Sequence, residues 1–327
     1  MIKKEIVLGE LLRSNDYISG SYLGRILNCT RAAISVYIGQ LRNEGYVIDS
    51  VTNRGYKLIS APNALIRELL TPYLNSRRTK TVLCVDSTPS TNLLLRSMAE
   101  EGAPDGQVVI ADSQTKGRGR LGRDFYSPMG KGIYLSMLLR PDCPPEKTLT
   151  LTPCAAVAAV RAIEKTTGIR PSIKWVNDLL LGGKKTAGIL TEMSIEAESG
   201  SISYIICGIG INVLEDETDF SEELRNIATS IKLYSGKTCF RAALAAALIE
   251  EFDHMRKNWL SDSNGYLEAY RELCVTKNCA ITIHEPSGKQ RTAHAIGIGD
   301  DFSLEVVNED GSRESLKSGE VSIRPLA

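Results

Sequence analysis

Residues 1–60 constrain the fold most, because helix-length apolar patterns and a hairpin signal follow one another there with almost no chain left between them. Ile2, Ile6, Leu8, Leu11 and Leu12 recur at roughly helical spacing, and a second amphipathic segment follows Ser19 with Leu23, Ile26 and Leu27 on one side. The break Asn28-Cys29-Thr30 is short. Residues 31–43 then place Ile34, Ile38 and Leu41 at i, i+4 and i+7, and Gly45 supplies a C-terminal stop. Residues 46–51 and 56–59 read as short extended stretches flanking Asn53-Arg54-Gly55, a turn signal. Helix, helix, short turn, helix and β-hairpin in that order form the pattern of a winged helix-turn-helix.

In such a unit the apolar stripe of the third helix faces inward, leaving Arg31, Ser35, Tyr37 and Arg42 to project outward. These residue types reach phosphates and base edges in a DNA groove. Residues 1–60 carry eight Lys and Arg against five Asp and Glu, a net of +3, whereas the whole chain carries 39 of each sign. Any polyanion site must therefore be local. The pattern predicts DNA binding; a small helical domain that binds protein, or nothing, is the alternative.

Beyond the wing, residues 64–70 read as a short helix and residues 75–78 as a polar linker or surface turn. Strands are expected at 81–85, 107–111 and 132–139, helices at 90–100 and 146–167, a strand-rich run at 173–212, and helices at 240–259 and 264–273. Strands clustered between helices predict an α+β domain around a mixed sheet. Residues 280–284, 291–298, 303–307 and 320–323 are short β runs with Gly-bearing turns, which predicts a small C-terminal β-barrel. The expected domains are 1–62, 63–275 and 276–327.

The longest helix-like apolar stretches, 154–163 and 242–249, fall far short of the ~20 residues that span a bilayer. The opening MIKKEIVLGELLR interrupts its apolar residues with charges, unlike a signal peptide, so a cytoplasmic protein without membrane association is expected. Eight cysteines show no C-x-x-C pair and the three histidines are scattered, which argues against structural zinc.

Residues 114–123 hold three glycines and four cations. Gly117, Gly119 and Gly122 formally match G-x-G-x-x-G, but a dinucleotide fingerprint opens a helix, and residues 124–130 read as continued loop. The better reading is a loop whose N–H groups and guanidiniums wrap a polyphosphate or acyl phosphate, since arginine binds phosphate oxygens bidentately and keeps its charge. Lys174-Trp175-Val176-Asn177-Asp178 follows, where Asp178 suits Mg²⁺ or a proton and Lys174 suits phosphate. Lys185 stands just before Gly188, and Gly208 and Gly210 end an apolar run before Asn212, glycines that suit close approach of a ligand. Residues 87–92 offer N-cap hydroxyls and free N–H donors to a small polar head group.

Taken in order, S-T-N, G-R-G-R-x-G-R, K-W-x-N-D, K-x-A-G-I-L, G-I-G-I-N and the terminal S-G-E-V-S-I-R resemble the biotin protein ligase family over about residues 80–327. The winged-helix start extends the resemblance to bifunctional members that also repress the biotin operon. It implies a class II synthetase-like central domain, an SH3-like C-terminal barrel, and a two-step reaction. Biotin's carboxylate attacks the α-phosphorus of ATP with Mg²⁺, giving biotinyl-5′-AMP and pyrophosphate. A lysine of a biotin carboxyl carrier domain then takes the acyl group.

Carried over by position, the resemblance places Ser90, Thr91, Asn92 and Gln114 around the biotin head group, and Gly117, Arg118, Gly119, Arg120 and Arg123 in a loop over biotin and its acyl phosphate. Lys185 would hold carboxylate or phosphate oxygens, with Gly188 and Gly208 leaving room. Lys174, Asn177 and Asp178 would face nucleotide and metal, and Asn212 the nucleotide; the expected catalytic set is Lys185, Arg118, Arg120 and Asp178. Arg31, Ala32, Ser35, Tyr37 and Arg42 would lie on the reading helix and Arg54 at the wing tip, presented to operator DNA by an adenylate-bound homodimer. The chain departs from the family at Leu121 and Phe125, where a further Arg and a Trp are common, and at Val176, where Pro is common. A ligase whose winged helix does not repress, and a lipoate-handling acyltransferase, are the competing readings.

Overall fold

The computed structural model describes residues 3–75, 77–284 and 289–323. Its N-terminal unit runs α1 (Lys3–Arg13), α2 (Gly20–Leu27), α3 (Arg31–Asn43) and the antiparallel hairpin β1 (Val47–Val51) and β2 (Gly55–Ser60). Ser19 and Thr30 cap α2 and α3 by accepting from the N–H groups of Tyr22 and Ala33, satisfying donors that helix starts leave open. Asn28 in the left-handed region and Gly45 at φ +91° end the same two helices. Leu8, Leu11, Leu23, Ile34, Ile38 and Leu41 form the unit's core. Ile26 does not join it and is 43% exposed: the buried stripe of α2 runs through Gly20, Leu23, Gly24 and Leu27, and Ile26 lies one residue off that line.

Gly55 is required by its surroundings. Its φ is +110°, and a Cβ there would stand 2.0 Å from the Ile18 carbonyl, because Ile18 and Tyr56 exchange backbone hydrogen bonds that dock the α1–α2 connection onto the wing.

The next helix, α4 (Arg67–Leu70), is shorter than the expected 64–70 and continues as a 3-10 turn. The central domain then follows as β3 (Val82–Thr88), α5 (Thr91–Glu100), β4 (Val108–Gln114), β5 (Ile133–Leu139), α6 (Leu151–Thr167), β6 (Ser172–Lys174), β7 (Asp178–Leu181), β8 (Lys184–Ile195) and β9 (Ile202–Ile211). Two short helices that the sequence reading passed over, α7 (Glu222–Arg225) and α8 (Ile231–Ser235), precede α9 (Arg241–Asn258) and α10 (Ser263–Leu273). Strand order is β3-β4-β5-β9-β8-β7-β6, with β3 and β4 parallel across the α5 crossover and the other neighbours antiparallel. Alternation along the strands gives the sheet two apolar faces. Val109 and Leu138 pack with Leu95 and Ala99 of α5, while Val108, Ile110, Leu135 and Met137 join the larger core that holds α6 and α9.

The stretch expected as a solvated linker at 75–78 is anchored at Arg78. Its guanidinium is largely buried and pairs with Asp253 of α9 at 2.7 Å, a partner that no local reading could supply.

The C-terminal strands β10 (Cys279–His284), β11 (Gln290–Ile298), β12 (Leu304–Asn308), β13 (Arg313–Leu316) and β14 (Glu320–Ile323) form an antiparallel sheet in the order β13-β12-β11-β10-β14. β13 lacks the apolar alternation that identifies strands from sequence and is held by its ladder to β12. Among the described residues no ladder joins the two edge strands. The sheet docks on the central domain where the Trp175 indole N–H donates to the Phe302 carbonyl at 3.0 Å and Tyr270 meets the Phe302 ring edge-on. Among the described residues no helix is long and apolar enough to cross a membrane.

Candidate active site

Parallel pairing of β3 and β4 sets Thr88 beside Gln114, which brings the start of α5 against the end of β4. Gln114 Oε1 accepts from the Thr91 N–H at 2.9 Å, and its Nε2 donates to Ser127 at 3.0 Å. Ser136 Oγ lies 2.7 Å from Thr91 Oγ1 and 2.6 Å from Asn92 Oδ1. Asn92 Nδ2 donates to Glu192 of β8 at 2.8 Å. Ser90, Thr91, Asn92 and Ser136 are all buried, so this polar floor is fixed by its own hydrogen bonds.

The residues between β4 and β5 fold back over that floor. Phe125 N–H donates to the Gly117 carbonyl at 2.9 Å, Gly119 N–H to Arg123 at 2.7 Å, and a Cβ on Gly117 would stand 2.3 Å from the Phe125 carbonyl. Leu121 forms the tip, at φ +56° and 69% exposed. The fold of the loop aims Arg120 Nη1 at Asn177 Oδ1, 3.0 Å away, and holds Arg118 Nη1 3.7 Å from Glu192. On the opposite wall Lys185 Nζ pairs with Asp178 Oδ1 at 2.6 Å, both side chains remaining partly open to solvent. The Lys185 backbone is fixed from both sides, donating to Ile227 at 2.8 Å and accepting from Thr229 at 2.9 Å.

One cleft, enclosing about 470 Å³ with part of it open to solvent, collects these groups. Ser90, Thr91, Asn92, Gln114, Arg118, Gly119, Arg120, Asn177, Lys185, Gly188 and Gly208 line it. Gly117, Arg123, Lys174, Asp178 and Asn212 stand outside that lining, Asp178 one ion pair behind Lys185. Asn212 is buried, its side chain donating to the Thr229 carbonyl at 3.1 Å, so it braces the segment behind Lys185.

Gly188 and Gly208 of the cleft lining, and Gly210 beside them, also let neighbouring side chains come close. A Cβ on Gly208 would stand 2.1 Å from Asn92 Oδ1, one on Gly188 3.0 Å from Lys185 Nζ, and one on Gly210 2.4 Å from the Phe125 ring. Gly208 lies between Ser136 of β5 and Leu190 of β8 in the strand register, and its bare Cα lets Asn92 reach across β9 to both neighbours. Ser136 and Glu192 were not singled out from the sequence. Only the register of β5, β9 and β8 brings them to Asn92.

On the N-terminal unit Arg31, Ala32 and Ser35 are exposed along α3. Two further residues of the expected set also make contacts within the fold. Tyr37 packs against the core, and the Arg42 guanidinium donates to the Ile48 carbonyl at 2.6 and 3.1 Å and to Ser50 at 2.6 Å, fastening α3 to the wing. Arg54 stacks 4.3 Å over the Tyr17 ring and pairs with Asp16 at 3.3 Å at the surface.

Comparison with known proteins defines the class first: residues 4–57 match an HTH domain, and residues 82–212 match the biotin/lipoate A/B protein ligase family. The relatives narrow it further. The bifunctional ligase/repressor BirA of Bacillus subtilis (strain 168) is 38% identical over 261 residues, 80% of each chain, and that of Escherichia coli (strain K12) is 32% identical over 319 residues, 96% of this chain and 95% of the relative. The biotin protein ligase from Aquifex aeolicus, solved in complex with biotin and ATP, is 26% identical with a TM-score of 0.63, covering 74% of this chain and 98% of that one. The chain belongs to the biotin/lipoate A/B protein ligase family, among its bifunctional ligase/repressor members.

Proposed function

We propose that this chain activates biotin with ATP as biotinyl-5′-AMP and transfers the biotinyl group to a lysine of a biotin carboxyl carrier domain, and that its adenylate-bound form represses transcription at an operator. The carrying observation is that Lys185, Arg118 and Arg120 converge from two walls on a cleft whose floor is a buried hydrogen-bonding surface. A polar head group fits the floor and an anionic tail meets the cations.

The first step needs that geometry. A carboxylate must approach a polyanionic triphosphate, so fixed positive charge that is stronger where the new P–O bond forms lowers the barrier. Lys185, oriented by Asp178, and Arg120, oriented by Asn177, supply charge already aimed before substrate arrives. Asp178, just behind the cleft lining, would offer Mg²⁺ a single carboxylate, which suits an ion that takes its remaining oxygens from phosphates and water; the ion would neutralise phosphate charge there. In the second step the target amine attacks the acyl carbon, AMP leaves, and the amine proton needs an acceptor. Asp178, one ion pair behind Lys185, is the carboxylate we assign to orient or deprotonate that amine. Asp178→Asn should slow transfer from preformed adenylate, and a normal transfer rate would refute this role.

Repression follows from linkage: an adenylate that favours the dimer-competent state raises operator occupancy. Arg31, Ala32, Ser35 and Arg42 are among the exposed residues of α3 that we assign to a DNA groove. The deciding test is mass spectrometry of an acceptor domain incubated with the protein, biotin and Mg-ATP, where one added biotinyl group is expected. Biotin-dependent ATP–pyrophosphate exchange that fails with lipoate separates the ligase from a lipoate enzyme. A gel shift on the chain's own upstream region, with and without biotin and ATP, decides repression; no shift at low salt removes it.

A further inference from the structure

The connection between α1 and α2, residues 14–18, carries no motif that entered the functional reading, yet it lies against the tip of the wing. Asp16 Oδ1 accepts from the Tyr17 N–H at 2.7 Å, and the Asp16 N–H donates to Ser14 Oγ at 3.2 Å, so the carboxylate is held at its turn. Ile18 and Tyr56 exchange backbone hydrogen bonds at 2.8 and 2.9 Å, which seats the connection on β2. The Tyr17 hydroxyl donates to Asp49 of β1, whose other oxygen accepts from the Ser50 N–H at 2.8 Å. Arg54 sits in the resulting corner. Its guanidinium carbon stands 4.3 Å over the Tyr17 ring and its Nη2 3.3 Å from Asp16 Oδ1, with 59% of the side chain still exposed. Lys57 Nζ lies 5.9 Å from the same ring. We propose that Tyr17 is a positioning residue for DNA binding: its ring, fixed by Asp49 and by the docked connection, holds the Arg54 guanidinium at the wing tip ready for a backbone phosphate. This rests on the reading of the N-terminal unit as an operator-binding winged helix and deepens it.

The argument concerns what a long side chain at a turn lacks. Asn53 at φ +67° and Gly55 at φ +110° set the backbone of the tip, and with it where the Arg54 Cα stands, but they leave the side chain to be settled by something else. An arginine that wanders among rotamers must be frozen when it meets a ligand, and that ordering weakens binding. An aromatic face attracts a cation and suits the flat guanidinium. Stacking uses the face of that group and leaves its N–H donors, which lie in the plane, for oxygen acceptors; phosphate takes such donors as a fork. Asp16 is the acceptor in the structure. Its pair with Arg54 is exposed on both sides, the kind that contributes little and yields readily to a competing anion. Asp49, the other carboxylate nearby, is engaged by the Tyr17 hydroxyl and the Ser50 N–H. The ring therefore does what Asp16 cannot: it holds the cation without occupying the donors that a phosphate needs.

The experiment titrates the full chain, with biotin and ATP present, against a labelled duplex of its own upstream region over a series of salt concentrations. Tyr17→Leu keeps an apolar side chain and removes the π face. It should bind roughly two- to fivefold more weakly at the native salt slope, because the phosphate contact is still made but is less well prepared. Tyr17→Phe keeps the face and should keep the native affinity. Arg54→Ala should weaken binding and lower the slope by about one, and adding Tyr17→Leu to it should change nothing further. A merely structural role for Tyr17 would weaken the Arg54→Ala protein again by the same factor, so additive losses overturn the proposal, as does native affinity in Tyr17→Leu. If Tyr17→Leu does not fold, Arg54→Lys on the exposed turn keeps the charge and gives up the flat stack. It should lose roughly twofold or more at an unchanged slope, and native affinity there overturns the proposal too. A native protein that binds the duplex no better than Arg54→Ala also overturns it, whereas no shift by the native protein at low salt would sink the underlying reading of the winged helix.

Discussion

Lys185 and Arg241 each face one aspartate, at 2.6 and 2.8 Å, yet 36% of the Lys185 side chain is exposed and none of Arg241 is. Arg241 opens α9 and fastens three segments together. Nη1 donates to Asp112 and to the Gly132 carbonyl at 2.9 Å, and Nη2 donates to the Asn63 carbonyl, while the Asn63 side chain accepts from the Arg241 N–H at 3.0 Å. It thereby joins the exit of the winged helix to the end of β4 and the return of the glycine-rich loop. Among the described residues Lys185 has a single ionic partner, and its side chain keeps an open face. A cation whose donors are already committed inside the fold bears on stability, whereas one left partly open at a cleft bears on ligands.

The largest effect that would break this contrast is chemical. Lys185→Ala should lower biotin-dependent ATP–pyrophosphate exchange by about 10³-fold, while its melting temperature stays within ~2 °C of the native value, as expected for loss of an exposed charge aimed at a developing anion. Arg241→Ala should do the reverse. Removing one member of a buried pair strands the Asp112 carboxylate and costs about 3 kcal/mol in chemical denaturation, with exchange per folded molecule retained. Native-like unfolding of Arg241→Ala would collapse the distinction.

Glu215 sharpens the comparison at an intermediate scale. Burial pushes its carboxyl up to about 7 from an ordinary 4.5, so between those values the folded state keeps a proton that the unfolded chain has released. Stability should therefore fall as pH rises through that window, by about 1.4 kcal/mol per unit at most. Glu215→Gln should flatten the slope in denaturation curves taken across it. Among the smallest effects, Arg31→Ala on exposed α3 should leave the fold intact and reduce the salt slope of operator binding by about one; Arg42→Ala should loosen the wing instead, seen as faster proteolysis of residues 44–60.

Much of this architecture was legible before any coordinates. Helix α3 falls on residues 31–43 as its i, i+4, i+7 pattern predicts, and the strands of the central sheet are recognisable by their runs. Motif residues from five separate segments line one cleft. What escaped reading shares one property: its cause lies across the sheet or in another domain. Arg78 looked like linker until Asp253 came beside it, nothing in α3 announces the bond from Arg42 to the β1 carbonyl, and β13 has no pattern apart from the ladder that holds it.

Glycine is the clearest case. Gly188 and Gly208 announce close approach by their positions in apolar strands, but only the folded structure sets the Lys185 and Asn92 side chains against them. The amino-acid order by itself determined the elements, their sequence of types and the chemical inventory of the cleft, because periodicity, capping and turn chemistry act over a few neighbouring residues. Tertiary structure alone decided which cations remain open to a ligand and which way the buried amides face, because burial and hydrogen-bond partners are set by segments that meet only once the sheet has closed.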